Sequence, residues 1–286
     1  MPELPEVETI VRTLTPQVAG RVISAVTAPH PKVLQQGEAL LPLLSGGRVE
    51  RIFRRAKLLL FAVRPRQQAG DILLAFHLKM TGRFFVHPEG TEPLKHTRII
   101  FDLSEDDEGL TPAGRLFFDD MRTFGWCRVM RPDELADWPF WRNLGPEPLE
   151  LSRDELAAHL ASRFSGRARS VKACLLDQTI LAGIGNIYAD EALFKAGIRP
   201  SGAAASLDGA GLAALAGALQ EILALAIREC GSSIRDYRDA LGNAGAFQNN
   251  FAVYGRKGET CLACGGPLQS ARVAGRGTVY CPACQR

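Results

Sequence analysis

Four cysteines close to the C-terminal end restrict the possible folds of this chain more than any other feature. They form two Cys-x-x-Cys knuckles, Cys261 to Cys264 and Cys281 to Cys284, with 16 residues between them. This spacing is typical of a tetrahedral zinc site on a two-stranded ribbon. Disulfides are the alternative, but no secretory signal opens the sequence, and a reducing compartment favours the metal. We therefore expect one Zn²⁺ with a closed, structural coordination shell.

The segment that contains these knuckles, 256–286, is too short to bury a large core. Metal ligation can replace that core, because it contributes about 10 to 16 kcal/mol of apparent folding free energy to such modules. The ribbon should therefore melt without zinc. Its charged side chains are mostly cations, and Arg276 falls between the knuckles, where a hairpin turn would expose it. A basic module suits a polyanion, although a solvated surface explains the charge equally well.

The composition of the whole chain is that of an ordinary globular protein. Its 286 residues are 46% hydrophobic, which is enough for two domains with normal cores. No stretch approaches about 18 uninterrupted apolar residues, so we expect an intracellular protein without a membrane span. Cys127, Cys174 and Cys230 follow no ligand spacing, and we expect them to be core thiols.

The first 130 residues have mainly the pattern of strands. A helix comes first, because apolar residues recur at helical spacing from Val7 to Val18; Pro16 should bend or end it, and Gly20 is a plausible stop. Apolar or alternating runs such as "GRVERIFRRAKLLLFAV" and "DILLAFHLKMTGRFFV" follow, separated by turn residues. Several such runs without intervening helices predict an antiparallel sandwich or barrel.

The second half has the pattern of helices. Residues 131–150, rich in Pro and acids, should connect the two regions, and Ser152 with Glu155 has the spacing of a capping box. Leucines then mark one face of a long helix that ends near Gly231. Residues 231–250 are polar, weakly periodic and contain glycines, so we expect a mobile loop.

A glycine-rich turn in "LAGIGNIYADEALFKAG" brings Asn186 to the start of a helix. Backbone N–H groups at a helix start suit a phosphate. The alternative is a structural turn in which the Asn side chain caps the helix, and the motif leaves both interpretations open.

The opening motif "MPELPEVET" contains more than a helix start requires. Pro5 and the acids after it suit a first helical turn, which leaves Pro2 and Glu3 unexplained. If Met1 is removed, Pro2 becomes a secondary amine beside a carboxylic acid. An α-amine has a pKa of about 8, against about 10.4 for lysine, so part of it is unprotonated near neutral pH. Attack of such an amine on an aldehydic carbon gives a cationic iminium, which promotes elimination.

Lys57 in "RRAKLLLF" stands between two arginines and an apolar run, so its ammonium should lie at a strand end near the core. A lysine that extends its stem along apolar surface is the simplest interpretation. The functional alternative is a cation that lowers the pKa of the Pro2 amine or holds a phosphate.

Several motifs together resemble those of formamidopyrimidine-DNA glycosylases, bacterial base-excision repair enzymes that share their architecture with endonuclease VIII. These motifs are "MPELPEVET", "RRAK", "HLKMTG", "GIGNIYADEALF", "YGRKGETC" and the two knuckles, in the family's order from residue 1 to residue 285. The resemblance implies an α+β multidomain fold. Its parts would be a catalytic N-terminal β-sandwich with a flanking helix (1–130), an interdomain hinge (131–150), a helical domain with a helix-two-turns-helix motif and a lid loop (151–255), and a zinc ribbon (256–286).

The resemblance also implies roles for individual residues. Pro2 is similar to the Schiff-base nucleophile that displaces the damaged base, and Glu3 to the acid that protonates the sugar ring oxygen. Glu6 resembles a carboxylate that supports the site, and Lys57 a lysine that contacts the phosphate of the damaged nucleotide. Further correspondences are phosphate-binding positions at Lys172, Asn186 and Arg276, and side chains inserted into the duplex at Met80, Arg122 and Phe124.

Three positions depart from the family pattern. Lys79 stands where the family usually has glycine, and Met121 and Thr123 replace Pro and Arg in a common Asp-Pro-Arg-Arg-Phe-Gly motif. We therefore expect the insertion loops to differ in rigidity or in opposite-base preference.

The resemblance implies a bifunctional DNA glycosylase and abasic-site lyase that excises 8-oxoguanine and formamidopyrimidines and cleaves by β,δ-elimination. Its partner would be double-stranded DNA with oxidised bases or abasic sites, and we expect a cytoplasmic monomer that joins the nucleoid when bound. One alternative is an endonuclease VIII-like enzyme for oxidised pyrimidines, which "LPEVET" after Pro2 and the inserted side chains argue against. The other, a zinc-ribbon DNA-binding protein without catalysis, would not need Pro2, Glu3 and Lys57.

Overall fold

The computed structural model describes residues 1–67, 70–109 and 111–286. The chain divides into two compact units, one formed by 1–142 with 230–245 and the other by 143–229 with 246–286. The helices are α1 (Leu4–Val18), α2 (Glu134–Asp137), α3 (Pro139–Arg142), α4 (Arg153–Phe164), α5 (Val171–Leu175), α6 (Asn186–Lys195) and α7 (Gly209–Arg228). The strands are β1 (Val22–Thr27), β2 (Leu34–Gln36), β3 (Gly47–Arg55), β4 (Leu58–Arg64), β5 (Ile72–His77), β6 (Gly82–His87), β7 (Thr97–Ser104), β8 (Pro112–Asp120), β9 (Trp126–Met130), β10 (Gln269–Val273) and β11 (Arg276–Tyr280).

The first unit is built on one continuous sheet with the strand order β2-β9-β5-β4-β3-β1-β7-β8-β6. Its strand pairs are antiparallel except β2 with β9. Strands β5 and β6 are six positions apart in this order, about 29 Å along a flat sheet. The rings of Phe76 on β5 and Phe84 on β6 nevertheless lie 4.9 Å apart. The sheet therefore folds over onto itself, which confirms the predicted sandwich.

Helix α1 completes the core of this sandwich, because it contacts β3, β4 and β6 and buries Val7, Ile10 and Leu14 among the sheet residues. The helix does not end at Pro16 but continues to Val18. Pro16 lies in the last turn, so the helix loses only the one hydrogen bond that an N–H group there would donate to the Arg12 carbonyl oxygen. Gly20 follows with a φ of 84°, as expected for a residue that stops a helix.

Part of the predicted connection 131–150 is folded onto the sheet of the first unit. Residues of α2 and α3 cover the outer face of β4, β5 and β9, where Trp138 is buried. Its ring lies 5.8 Å from that of Trp126 and 5.2 Å from that of Phe140. Trp138 and Phe140 were expected to belong to a connection, because a short Pro-rich stretch shows no periodicity.

Residues 230–245 also belong to the first unit, although the sequence analysis assigned them to the helical region. The segment has no helix or strand, but it is attached to α1. The Ala240 N–H group donates to the Thr13 hydroxyl at 3.2 Å, and the Tyr237 hydroxyl donates to the Glu6 carbonyl oxygen at 3.3 Å. Cys230 at its start is exposed, so the prediction of a core thiol was wrong there, whereas Cys127 and Cys174 are buried as expected.

The second unit packs α4, α6 and α7 around one core. The predicted capping box is present, since Glu155 accepts from the Ser152 N–H at 2.8 Å and Ser152 accepts from the Glu155 N–H at 3.2 Å. A series of turns in 176–185 joins α5 to α6. Helix α7 is long and apolar enough to cross a membrane by length and composition, but its leucine row is buried in this core, as in the central helix of a globular domain.

The last part of the second unit is a two-stranded hairpin formed by β10 and β11. Ala274 and Gly275 form its turn with φ angles of 51° and 72°. Two consecutive residues with positive φ are typical of the tight turns that match the twist of paired strands. The cysteine knuckles flank this hairpin, as a zinc ribbon requires.

Candidate active site and nucleic-acid interface

The start of α1 buries the two acids of the N-terminal motif. Glu3 is the N-cap residue, and a capping box joins it to Glu6. Their exposed fractions are 3% and 1%, and Pro2 is buried beside them, whereas Met1 is exposed. Loss of Met1 would therefore leave a proline nitrogen next to a buried carboxylic acid.

Both carboxylate oxygens of Glu6 are engaged. One accepts the Glu3 N–H at 2.8 Å, and the other accepts the Ser232 N–H at 2.7 Å. A Cβ atom added to Gly231 would lie 2.9 Å from the Glu6 side chain, so this approach requires glycine. Glu6 thus fixes the backbone between Pro2 and Glu3, and the segment 230–245 fixes Glu6.

Lys57 is only 8% exposed and lies between β3 and β4, after Ala56 with a φ of 53°. Its neighbour Leu58 pairs with His77 across β4 and β5. Burial, helped by the positive charges of Lys79 and Lys57, lowers the pKa of His77 to about 3. The imidazole is therefore neutral, and Lys57 contributes to a positive field at this end of the two strands.

His77 has no role among those predicted from the sequence, although it belongs to the motif "HLKMTG". The Lys79 N–H donates to Nδ1 of His77 at 3.0 Å, so a neutral ring carries its proton on Nε2. That N–H is a donor suited to an anion. A histidine two residues before a lysine at a strand end was the available signal, but only the pairing of β4 with β5 brings it close to Lys57.

The three side chains expected to enter a duplex lie on two loops of the first unit. Met80 is 41% exposed, Phe124 is 54% exposed, and Arg122 is also exposed. Large apolar side chains are usually buried, so the exposure of Met80 and Phe124 is the informative observation. The Arg122 guanidinium lies 4.9 Å from the centre of the Phe124 ring, a cation–π contact that holds the two together.

Asn186 and Arg276 come together in the second unit. Asn186 is the first residue of α6, and the cap residue is Gly185, so the interpretation of Asn186 as the cap was wrong. The Asn186 amide instead donates to the Gly277 carbonyl oxygen at 3.0 Å, directly beside Arg276. Arg276 is exposed at the start of β11. The amide thus ties the helix start to the hairpin.

Lys172 differs from the expected phosphate contact because it is completely buried. Its ammonium forms an ion pair with Asp190 at 2.6 Å and donates to the Thr278 hydroxyl, also at 2.6 Å. The exposed fractions of Lys172 and Asp190 are 0% and 1%. Lys172 on α5 therefore links α6 to β11 from inside the unit, and the sequence could not distinguish this position from a surface one.

The four cysteines form a site that fits one zinc ion. Their sulfur atoms all lie within 4.8 Å of one another, with distances of 3.9 Å between Cys261 and Cys284 and 3.5 Å between Cys264 and Cys281. Four thiolates at about 2.3 Å from a tetrahedral metal lie about 3.8 Å apart. A disulfide would require about 2.05 Å. The geometry confirms the predicted structural zinc site.

Comparisons with known proteins point to the same family for all parts of the chain that they match. Family models match at residues 1–127 (formamidopyrimidine-DNA glycosylase N-terminal domain), 144–238 (formamidopyrimidine-DNA glycosylase H2TH domain) and 258–286 (zinc finger found in FPG and IleRS). A formamidopyrimidine-DNA glycosylase of Nitratidesulfovibrio vulgaris is 43% identical, with 100% of both chains covered. Lactococcus lactis Fpg bound to DNA with an abasic site has a TM-score of 0.87 at 34% identity, with 99% of both chains covered. A mutant of the same protein, bound to DNA that contains Fapy-dG, has the same score and identity, with 100% of both chains covered.

Proposed function

The chain belongs to the formamidopyrimidine-DNA glycosylase family, whose enzymes remove damaged bases from DNA, and from this premise we propose that it both excises oxidised purines and cleaves the resulting abasic strand. The observation that carries the proposal is the burial of Glu3 and Glu6 around Pro2 at the start of α1. Burial of two acids costs free energy that a purely structural helix start does not need to spend. Beside an N-terminal secondary amine, however, the same acids can assist a nucleophile.

The first step forms a double bond between the Pro2 nitrogen and C1′ and breaks the N-glycosidic and C1′–O4′ bonds. The unprotonated Pro2 nitrogen attacks C1′ of the damaged nucleotide, and the base leaves with the electrons of the N-glycosidic bond and takes up the proton that the Pro2 nitrogen loses. Glu3 gives its proton to the ring oxygen as the C1′–O4′ bond opens, so an iminium joins Pro2 to the open sugar. Glu6 acts by holding the Glu3 backbone.

The iminium then makes strand cleavage possible. Its positive charge acidifies the C2′ protons, and loss of one of them expels the 3′-phosphate in a β-elimination. A second elimination expels the 5′-phosphate. Water finally hydrolyses the iminium and restores the Pro2 amine.

Positive side chains of both units would hold the phosphates. In the first unit these are Lys57, with the Nε2–H of His77 beside it, and in the second unit Arg276 with Asn186 at the helix start. Met80, Arg122 and Phe124 would fill the gap that the extruded base leaves. Because each neutralised phosphate releases counterions, DNA binding should weaken steeply with salt.

Borohydride trapping tests the proposal. The protein is incubated with duplexes that contain 8-oxoguanine, an oxidised pyrimidine or an abasic site, and is then reduced to capture the iminium. We expect covalent adducts with the 8-oxoguanine and abasic duplexes. No adduct with any duplex would end the lyase proposal, and an adduct with the pyrimidine duplex but not with 8-oxoguanine would favour the endonuclease VIII-like alternative.

Two variants test the nucleophile itself. Pro2→Gly, or a form that retains Met1, should trap poorly, because the amine is altered or displaced. Glu3→Gln should retain binding to an abasic duplex and lose excision, since the amide cannot donate the proton. Normal trapping by both N-terminal forms would exclude Pro2 as the nucleophile.

We also propose that the enzyme acts as a cytoplasmic monomer. Sedimentation with and without a duplex measures how many copies of the chain bind one duplex.

A further inference from the structure

Two loops carry the side chains proposed to enter the duplex. The first joins β5 to β6 and includes Met80, and the second joins β8 to β9 and includes Arg122 and Phe124. The exposure of these side chains means that the core does not fix their positions. Each loop also contains a residue with positive φ, Lys79 at 51° and Thr123 at 57°, a conformation that side chains with a Cβ atom disfavour. Both loops therefore need a restraint from elsewhere.

Asp120, the last residue of β8, provides this restraint. Its side chain is buried, and one carboxylate oxygen accepts the Thr81 hydroxyl. The Arg122 N–H is shared between that carboxylate oxygen at 3.2 Å and the Thr81 hydroxyl oxygen at 3.0 Å. The other oxygen accepts the Gly125 N–H at 2.7 Å. Thr81 belongs to the first loop, and Arg122 and Gly125 belong to the second. A single carboxylate thus joins both loops, and we call Asp120 and Thr81 the loop clamp.

The loop clamp is itself held firmly. The Asp120 N–H donates to the His96 carbonyl oxygen at 2.9 Å, and its carbonyl oxygen accepts two hydrogen bonds from the Arg98 guanidinium at 2.9 and 2.8 Å. A Cβ atom on Gly125 would lie 3.1 Å from the Asp120 carboxylate and 3.0 Å from the Phe118 ring. Three donors converge on the carboxylate, so an acceptor-only group is required at this position.

We propose that Asp120 is a positioning residue for base extrusion, which sets Met80, Arg122 and Phe124 as one rigid wedge. This inference rests on the proposed function of those three side chains. A wedge must fill the gap as the base leaves the stack. If the loops moved independently, both would have to be ordered as the base leaves the stack, and this entropic cost would raise the barrier to extrusion.

The proposal separates two reactions of the same enzyme. Excision of a damaged base requires extrusion, whereas an abasic nucleotide has no base to extrude. Loss of the loop clamp should therefore impair excision and spare cleavage at a preformed abasic site. A general defect in folding or in the Pro2 chemistry would lower both rates together.

Thr81→Val tests the clamp with little change in shape. The variant loses the hydrogen bond to the Asp120 carboxylate and the one that Thr81 accepts from the Arg122 N–H. We therefore expect kcat/KM for 8-oxoguanine excision to fall about 10- to 100-fold and abasic cleavage to change less than about threefold. Thr81→Ser keeps the hydroxyl and should restore excision. The matched control is Thr97→Val, because the Thr97 hydroxyl makes the same bond at 2.7 Å to the adjacent Asp119. It should behave as the original protein does.

Asp120→Asn provides a second test with a direct signal. The amide would turn a donor toward a backbone N–H, so extrusion should slow. Stopped-flow fluorescence of 2-aminopurine placed beside the lesion measures that rate. Equal losses of excision and abasic cleavage, or normal excision in Thr81→Val, would refute the clamp. Phe124→Ala separates the proposed wedge from the proposed clamp. Normal excision by this variant would refute the wedge. Loss of excision in Phe124→Ala together with normal excision in Thr81→Val would refute the clamp alone.

Discussion

The buried ion pair between Lys172 and Asp190 leads to the most quantitative prediction. Both side chains are essentially inaccessible, and their charged atoms are 2.6 Å apart. Lys172→Met removes the cation and leaves the buried Asp190 carboxylate without its positive partner. Such a change costs about 3 to 5 kcal/mol, a large part of the total stability of about 5 to 15 kcal/mol that is usual for a domain.

The double variant Lys172→Met with Asp190→Val should recover most of this loss. Replacing both charges by apolar groups of similar size is often neutral or stabilising, because the cost of desolvating two ions disappears. Urea denaturation of the zinc-loaded protein measures both variants. A single variant within about 1 kcal/mol of the original protein, or a double variant no better than the single one, would refute this reasoning.

DNA binding by the double variant then decides the role of Lys172. If Lys172 acts by fixing α6 against β11, the salt dependence of binding should match that of the original protein. A lysine that contacted a phosphate directly would lower the slope of log K against log salt by about 0.9 when removed. Arg276→Met provides the reference for such a loss. A reduced slope in the double variant would support the phosphate contact of Lys172 that the sequence predicted.

Three further predictions concern other parts of the chain. Burial holds the pKa of His77 near 3 in the folded state, against about 6.5 in the unfolded state. Below pH 6.5 the unfolded state therefore binds a proton at this residue and the folded state does not. The free energy of unfolding should therefore fall by about 1.4 kcal/mol between pH 7.5 and 5.5 through this group, and denaturation of His77→Gln should lack that component. Removal of zinc by a strong chelator should melt the β10–β11 hairpin, which supplies Arg276, and weaken DNA binding; amide exchange would contradict this if the hairpin stayed protected after metal release. Glu6→Gln should destabilise the first unit by about 1 to 3 kcal/mol and slow borohydride trapping, because the amide cannot accept from both Glu3 and Ser232; trapping at the original rate would show that Glu6 does not position the nucleophile.

The structure also shows what the unusual residues cost in the loops that carry Met80, Arg122 and Phe124. Lys79 and Thr123 both have positive φ, the region where glycine is favoured. Glycine at position 79, which the family usually has, would adopt this conformation without strain. The two loops of this chain therefore depend more on Asp120 and Thr81 than loops with glycine would.

The sequence by itself determined the features that depend on neighbouring residues. The spacing of the knuckles specified the zinc site, Ser152 with Glu155 specified a helix start, and successive apolar runs specified a sandwich. These signals are local because a capping box, a strand and each cysteine knuckle use residues a few positions apart. The N-terminal motif likewise identified Pro2 and Glu3 as unexplained by a helix start.

The tertiary structure decided which side chains meet and which remain exposed. Glu6 and Ser232 are 226 positions apart, and Lys172 and Thr278 are 106 positions apart, so no periodicity relates them. The same physical reason explains the wrong predictions for Lys172 and Cys230. Their side chains suit either a surface or a core position, and the packing around them determines which of the two they occupy. Burial of a charge is decided by its partner, and the partner of Lys172 lies on another helix.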